Sequence, residues 1–273
     1  MSYSAAEVLR FDRVGLSYDD RPVLQDVSFT VQRGETVALL GPSGCGKTTL
    51  LNIVAGFLQP SAGVALCNNR EIVGPGPDRG VVFQSYALFD WMTVEDNIAF
   101  SLRCSGQPRR EQREAASRMA ALVGLSGFEK SYPYQLSGGM RQRCGLARVL
   151  AANPSVMLMD EPFAAVDVQT REALQEEILR IQVATGCTIL FVTHSIDEAV
   201  FLGHRIFLMN KGRLGAFEEF AVGLPEPRAQ AEHRLHLEFL AVRDRVYRAL
   251  RKSHEDHANH MDLAAPAAQE HAA

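Results

Sequence analysis

The chain has no run of roughly 18 apolar residues, the length needed to cross a bilayer. Work at a membrane would therefore require docking onto a partner. Met1 to Val14 lacks the apolar centre of a secretory signal, so none is expected. Cysteine is sparse and unpatterned. Cys45, Cys67, Cys104, Cys144 and Cys187 are odd in number and form no CxxC pair, which argues against a disulfide or zinc framework and for reduced thiols in a cytosolic compartment. A surplus of basic charge is missing too: the formal net charge is -4, and a nucleic-acid binder favours an excess of Lys and Arg. No internal repeat is present.

What remains is an ordinary globular composition, 47% hydrophobic and 22% charged, in 273 residues that allow one or two domains. Leu9, Phe11, Val14, Leu16 and Tyr18, then Val27, Phe29 and Val31, alternate with polar residues and predict half-buried antiparallel strands around a turn at Asp19 to Pro22. Thr36 to Leu40, Val81 to Phe83, Val156 to Met159 and Ile189 to Val192 are short continuous apolar runs. Such runs fit strands covered on both faces by helices. Helical patterns over Thr48 to Leu58 and Thr170 to Thr185 separate them, giving an α/β core.

Between Gln84 and Ser137 the composition turns to Ala, Arg, Glu and Met, which predicts an inserted helical subdomain. The expected division is 1–87 and 153–215 for the core, 88–152 for the helical insert, 216–252 for a C-terminal helical extension and 253–273 for a disordered tail. Ile206 to Met209 is a further strand, followed by a turn at Asn210 to Gly212 into another. Leu235, Phe239, Val242, Val246 and Leu250 have helical spacing with one apolar face. His254, His257 and His260 read as a solvated tail and not as a metal tract, because no cysteine or carboxylate cage accompanies them.

Three motifs carry chemistry. Gly41-Pro42-Ser43-Gly44-Cys45-Gly46-Lys47-Thr48 satisfies G-x-x-x-x-G-K-[ST] between a buried-strand run and a helical stretch. Its backbone N–H groups and the helix N-terminus cradle phosphate; Lys47 reaches the β- and γ-phosphates of a nucleoside triphosphate, and Thr48 offers its hydroxyl to Mg²⁺. Cys45 within the loop reads as a tolerated small residue in preference to a redox switch. Asp160 and Glu161 end an apolar strand at the sheet edge where α/β folds bind ligands. There Asp160 is placed to bind Mg²⁺, directly or through water, and Glu161 to orient the attacking water. Gln84 and His194 end the Val81 to Phe83 and Ile189 to Val192 strand runs and point to sensing of water and γ-phosphate at the same sheet edge. The third motif, Leu136-Ser137-Gly138-Gly139-Met140-Arg141-Gln142-Arg143, is a second glycine turn opening a helix. One triphosphate seldom needs two cradles from one chain, so this one is expected to serve another copy's nucleotide.

In this order the motifs resemble the ATP-binding subunits of ABC transporters, over about residues 7 to 215. That resemblance implies a P-loop (RecA-like) ATPase core with an N-terminal antiparallel β subdomain and an inserted helical subdomain. It implies ATP and Mg²⁺, a cradle from Gly41 to Thr49, and Mg²⁺ held by Thr48, Gln84 and Asp160. It also implies a homodimer in which Ser137, Gly138 and Gly139 touch the partner's γ-phosphate. By the same resemblance Tyr18 stacks on adenine, Asp167 links the two sites, His194 is the switch histidine, and Gln84 with the helical insert receives a transmembrane permease. Gly74 to Gln84, Trp91 and Thr193 to Leu202 resemble the branch that imports taurine, alkanesulfonates and nitrate, as does the helix around Phe239 to Leu250. The implied location is the cytoplasmic face of the inner membrane, with a solute-binding protein as indirect partner. Departures are Ala164 at a usual glycine, Asp90 where a proline often stands, and Met140 for a commoner glutamine. A soluble ABC ATPase outside transport is the alternative, opposed by the single ATPase unit, the absence of a long coiled coil or basic linker, and the acidic charge. A regulatory module without turnover is opposed by Lys47, Thr48, Asp160, Glu161 and His194 occurring together.

Overall fold

The structure is a computed structural model and describes residues 7–263, apart from 20, 84–86, 165, 211–213 and 226–233; the side chains of 168 and 254–263 also lie outside the description. Two sheets form its frame. β1 (Glu7–Tyr18), β2 (Arg21–Gln32), β4 (Ala62–Cys67) and β5 (Arg70–Glu71) make an antiparallel sheet in the order β2-β1-β4-β5. β3 (Thr36–Leu40), β6 (Arg79–Val82), β7 (Val156–Asp160), β8 (Thr188–Thr193), β9 (Arg205–Met209) and β10 (Phe217–Ala221) make the second, in the order β10-β9-β3-β8-β7-β6. Every pairing in the second sheet is parallel except β9 with β10.

Side-chain alternation in this sheet divides the interior into two cores. Val37, Leu39, Val156, Leu158, Leu190, Val192 and Phe207 face the antiparallel sheet and helix α1 (Lys47–Ala55). Ala38, Leu40, Met157, Met159, Ile189, Phe191, Ile206 and Leu208 face the opposite way, toward the remaining helices. All five residues of β3 are buried, which is why it reads as an uninterrupted apolar run.

The opposite layer contains α2 (Val94–Ile98), α3 (Phe100–Cys104), α4 (Arg109–Leu122) and α5 (Gly138–Ala151), with α7 (Ile196–Leu202) on β3 and β8 and α6 (Val168–Thr185) against α7. α5 packs on α2, α3, α4 and β6, whereas α1 packs on β4, β6, β7 and β8. The loop before α2 is pinned by the fully buried Asn97, which accepts from the Phe89 N–H and donates to the carbonyls of Phe89, Met92 and Thr93. That loop displays Trp91, 74% exposed.

The C-terminal region differs from expectation in two places. Residues 217–221 are strand β10 on the sheet edge, so the helical extension does not begin at 216. The helix α8 spans Leu237–Leu263, continuing beyond Ser253 where a disordered tail was expected; residues 264–273 lie outside the described residues. Ala and Glu are good helix formers and extend a helix already nucleated by docking. Phe239, Val242 and Val246 bury that docking face beside α7, while Leu235 stays exposed. Among the described residues no helix is long and apolar enough to cross a membrane.

Because Phe239 is only 2% exposed, Phe239→Ala should cost about 3 kcal/mol in urea unfolding. Leu237, 81% exposed on the same helix, should change stability by less than about 0.5 kcal/mol on replacement by Ala.

Candidate nucleotide-binding and hydrolysis site

Parallel register assembles the site. Leu40 pairs with Thr193 and Asp160 with Val192, so β3, β7 and β8 end side by side. The next residues are Gly41, Glu161 and His194, which therefore emerge together at the carboxyl edge.

The loop from Gly41 to Gly46 closes onto Lys47. Lys47 is 7% exposed, and its ammonium donates to the carbonyls of Gly41 (2.7 Å) and Pro42 (2.9 Å). A bound phosphate would compete with these carbonyls for the same cation. Gly41, Gly44 and Gly46 have φ of +152°, +79° and +101°, conformations that glycine adopts without the penalty of a Cβ and that a phosphate-cradling loop requires. Lys47 opens α1, with Thr48 exposed and Thr49 half-buried in its first turn. Cys45 is buried, and desolvation raises its thiol pKa against the pull of Lys47, so it is held as an unreactive thiol.

Thr48 Oγ1 lies 3.4 Å from Asp160 Oδ1. Burial and the neighbouring Glu161 push the Asp160 carboxyl above its ordinary pKa, while Thr48 and Lys47 pull it down. A cation placed between Thr48 and Asp160 would relieve that desolvated carboxylate. Both atoms are hard oxygen donors, and Mg²⁺ takes few protein ligands when phosphate and water complete its shell.

Glu161 adopts φ +46°, with its N–H bonded to Val192 O at 3.0 Å. Such a conformation at a non-glycine residue costs about 1–3 kcal/mol and clusters at functional sites. Its carboxylate faces His194, at 3.6 Å from Nδ1. Among the described residues of this turn the left-handed one is Glu161 and not Ala164, so the Ala164 methyl meets no left-handed backbone strain. Gln84 falls outside the described residues.

Ser137 N-caps α5, accepting from the Met140 N–H at 3.3 Å, and is exposed with Gly138 and Gly139 half-exposed behind it. Met140 enters that cap through its backbone, and its side chain packs on the core. Asp167 caps α6 in the same manner through the Thr170 N–H at 3.1 Å; hydrogen bonds from Thr170 hold its carboxyl below the usual range. Tyr18, 47% exposed, ends β1 with its ring available for stacking.

Three polar residues behind the site escaped sequence reading. Glu198 is buried and accepts from the Thr193 hydroxyl at 2.5 Å, which itself accepts from the Ser195 N–H at 3.0 Å; together they clamp the backbone on both sides of His194. Ser195 to Glu198 has the S-x-x-E capping pattern, a legible signal, but Thr193 takes the N–H that the capping box assigns to the glutamate. Arg171 donates to Val166 O at 3.1 Å just ahead of Asp167. Gln142 donates to Pro162 O at 2.5 Å.

A methyl at Gly41 would lie 2.5 Å from the backbone oxygen of Met209, whereas one at Gly44 meets nothing within 4 Å. Gly41→Ala should therefore abolish nucleotide binding and cost about 1–3 kcal/mol of stability, since backbone cannot yield cheaply. Gly44→Ala should lose about 1 kcal/mol through its positive φ alone and retain binding. Titration with a fluorescent nucleotide and urea melts check both.

The family profile described as ABC transporter matches residues 24–164. The taurine import ATP-binding protein TauB of Yersinia pestis is 47% identical over 215 residues, covering 79% of this chain and 84% of that protein. An ABC transporter ATP-binding protein of Methanocaldococcus jannaschii, whose name specifies no solute, is 47% identical over 84% of each. Among solved structures, cbiO1 from Clostridium perfringens, part of the ABC transporter complex cbiONQ, superposes with TM-score 0.74 at 26% identity, covering 86% of this chain and 97% of that one. The ATP-binding cassette MJ0796, in a dimeric post-hydrolysis state with ADP and Pi, superposes with TM-score 0.66 at 28% identity, covering 78% and 98%. With its phosphate loop, acidic strand end and helix-opening serine turn on this fold, the chain belongs to the ABC transporter family as an ATP-hydrolysing subunit.

Proposed function

We propose that two copies of this chain close head to tail around two ATP molecules and power import of a small anion, taurine or a related sulfonate ahead of nitrate. The observation that carries this reading is the pair of helix-opening turns on separate layers, one at Lys47 and one at Ser137. Each ATP would lie on Gly41 to Thr49 of one copy, with Tyr18 against its adenine. Ser137, Gly138 and Gly139 of the other copy would close over its γ-phosphate, and Asp167 would link the two sites. The dimeric MJ0796 cassette, bound to ADP and Pi, supports this arrangement.

Thr48 and Asp160, with Gln84, would hold Mg²⁺, which when bound neutralises charge on the phosphate oxygens. Glu161 orients the water for in-line attack, and its left-handed backbone fixes where the carboxylate points. His194 meets the γ-phosphate from beside Glu161. Chemistry through a loose transition state asks for positioning more than for proton abstraction.

Exposed rings support permease docking: Phe57 and Phe83 stack with centroids 6.4 Å apart, and Trp91 is exposed on the loop before α2. With no bilayer-crossing helix among the described residues, such docking would place the chain peripherally on the cytoplasmic face of the inner membrane. A solute-binding protein would deliver the cargo to that permease. The taurine branch is favoured by the name of the Yersinia relative.

Glu161→Gln should turn over ATP at least about 100-fold more slowly and elute as a dimer only with ATP. Normal hydrolysis without an ATP-dependent dimer would overturn the proposal. In the assembly reconstituted with its permease and binding protein, taurine should stimulate turnover severalfold and nitrate should not; the reverse order would reassign the solute.

A further inference from the structure

Gln142 lies five residues after Ser137 on α5, is 2% exposed, and reaches across to the peptide that follows Glu161. Its Nε2 donates to Pro162 O at 2.5 Å. A carbonyl only accepts, so the amide orientation is fixed by that partner. Its Oε1 is buried with no hydrogen-bond partner among the described residues. A buried acceptor left unpaired is unusual in a native interior.

The peptide it grips belongs to a strained turn. Glu161 at φ +46° is held by its own N–H on Val192 O and by the Ala164 N–H on Glu161 O at 3.2 Å. Gln142 supplies the contact from outside the sheet, and it comes from the helix that Ser137 opens. The same face of α5 is tied to α6 by Arg143 and Glu177 at 3.0 Å, and Gly139 approaches Thr170 so closely that a Cβ would lie 3.0 Å from Cγ2. Displacement of the first turns of α5 therefore reaches Glu161 through one hydrogen bond and one packed helix.

We propose that Gln142 is a positioning residue that ties the seating of the Ser137 turn on the partner copy's nucleotide to the placement of the chain's own Glu161. Each site then becomes competent when the other is occupied. This rests on the shared-site reading above.

Two variants separate the hydrogen bond from packing. Gln142→Met is close in volume but donates nothing, and Gln142→Glu has the same shape with a carboxylate facing a carbonyl. Both should lower kcat about tenfold or more while leaving the monomer's ATP dissociation constant within about twofold. The Hill coefficient for ATP should fall from near 2, the number of sites, toward 1. In the Glu161→Gln background the Met substitution should change the residual rate by less than about twofold, because it acts through Glu161. Wild-type rate and cooperativity in Gln142→Met would overturn the proposal, as would an equal proportional loss in the Glu161→Gln background. If Glu161→Gln forms its ATP-dependent dimer and Gln142→Met behaves as wild type, only the coupling falls. If that dimer never forms, the shared-site reading falls and takes the coupling with it.

Discussion

Everything at this site depends on the register of three parallel strands. Leu40 beside Thr193 and Asp160 beside Val192 bring the glycine-rich loop, the acidic pair and His194 out of the sheet in one layer. A shift of one residue in β7 would turn Asp160 to the other face and carry Glu161 about 3.3 Å along the strand. Such a slip is resisted because each strand buries both faces: Met157 and Met159 fill one core, Val156 and Leu158 the other. The catalytic geometry is thus a by-product of apolar packing on two sides of one sheet.

Much of this was legible in the residues. The uninterrupted apolar runs marked β3, β7 and β8 within a residue at most of their ends, and the glycine-rich loop read directly as a strand-to-helix turn. The caps at Ser137 and Asp167 were foreseeable because a short oxygen-bearing side chain before a helix accepts from the N–H three residues on. What sequence could not supply was contact between distant segments. Gln142 to Pro162 and Glu198 to Thr193 are ordinary polar residues in their local windows, and they acquire meaning only when α5 and α7 are laid on the sheet. A strand after Ile206 to Met209 was expected and is β10, but the helical extension was started at 216, too early, because Phe217-Glu-Glu-Phe-Ala is short and charged and only pairing with β9 marks its extent. Gln84, central to the expected chemistry, falls outside the described residues.

Labour is divided between the layers. In the proposed reading the sheet and α1 hold the groups that would bind phosphate and carry out hydrolysis, and the helical layer holds the turn that would serve a second copy. Gln142, Arg143 and Gly139 are the places where that layer touches the Glu161 turn and α6. A motor needs such a link, because chemistry confined to one rigid sheet could not report on what the other layer has engaged.

The central claim is that each nucleotide is completed by the serine-glycine turn of a second copy. A crystal structure of Glu161→Gln with ATP tests it most directly, through the distance from the γ-phosphate to each Ser137 hydroxyl. The account predicts the partner copy's Ser137 at about 3 Å, a normal hydrogen bond. A γ-phosphate enclosed by one copy alone, with both Ser137 turns facing solvent, would contradict it.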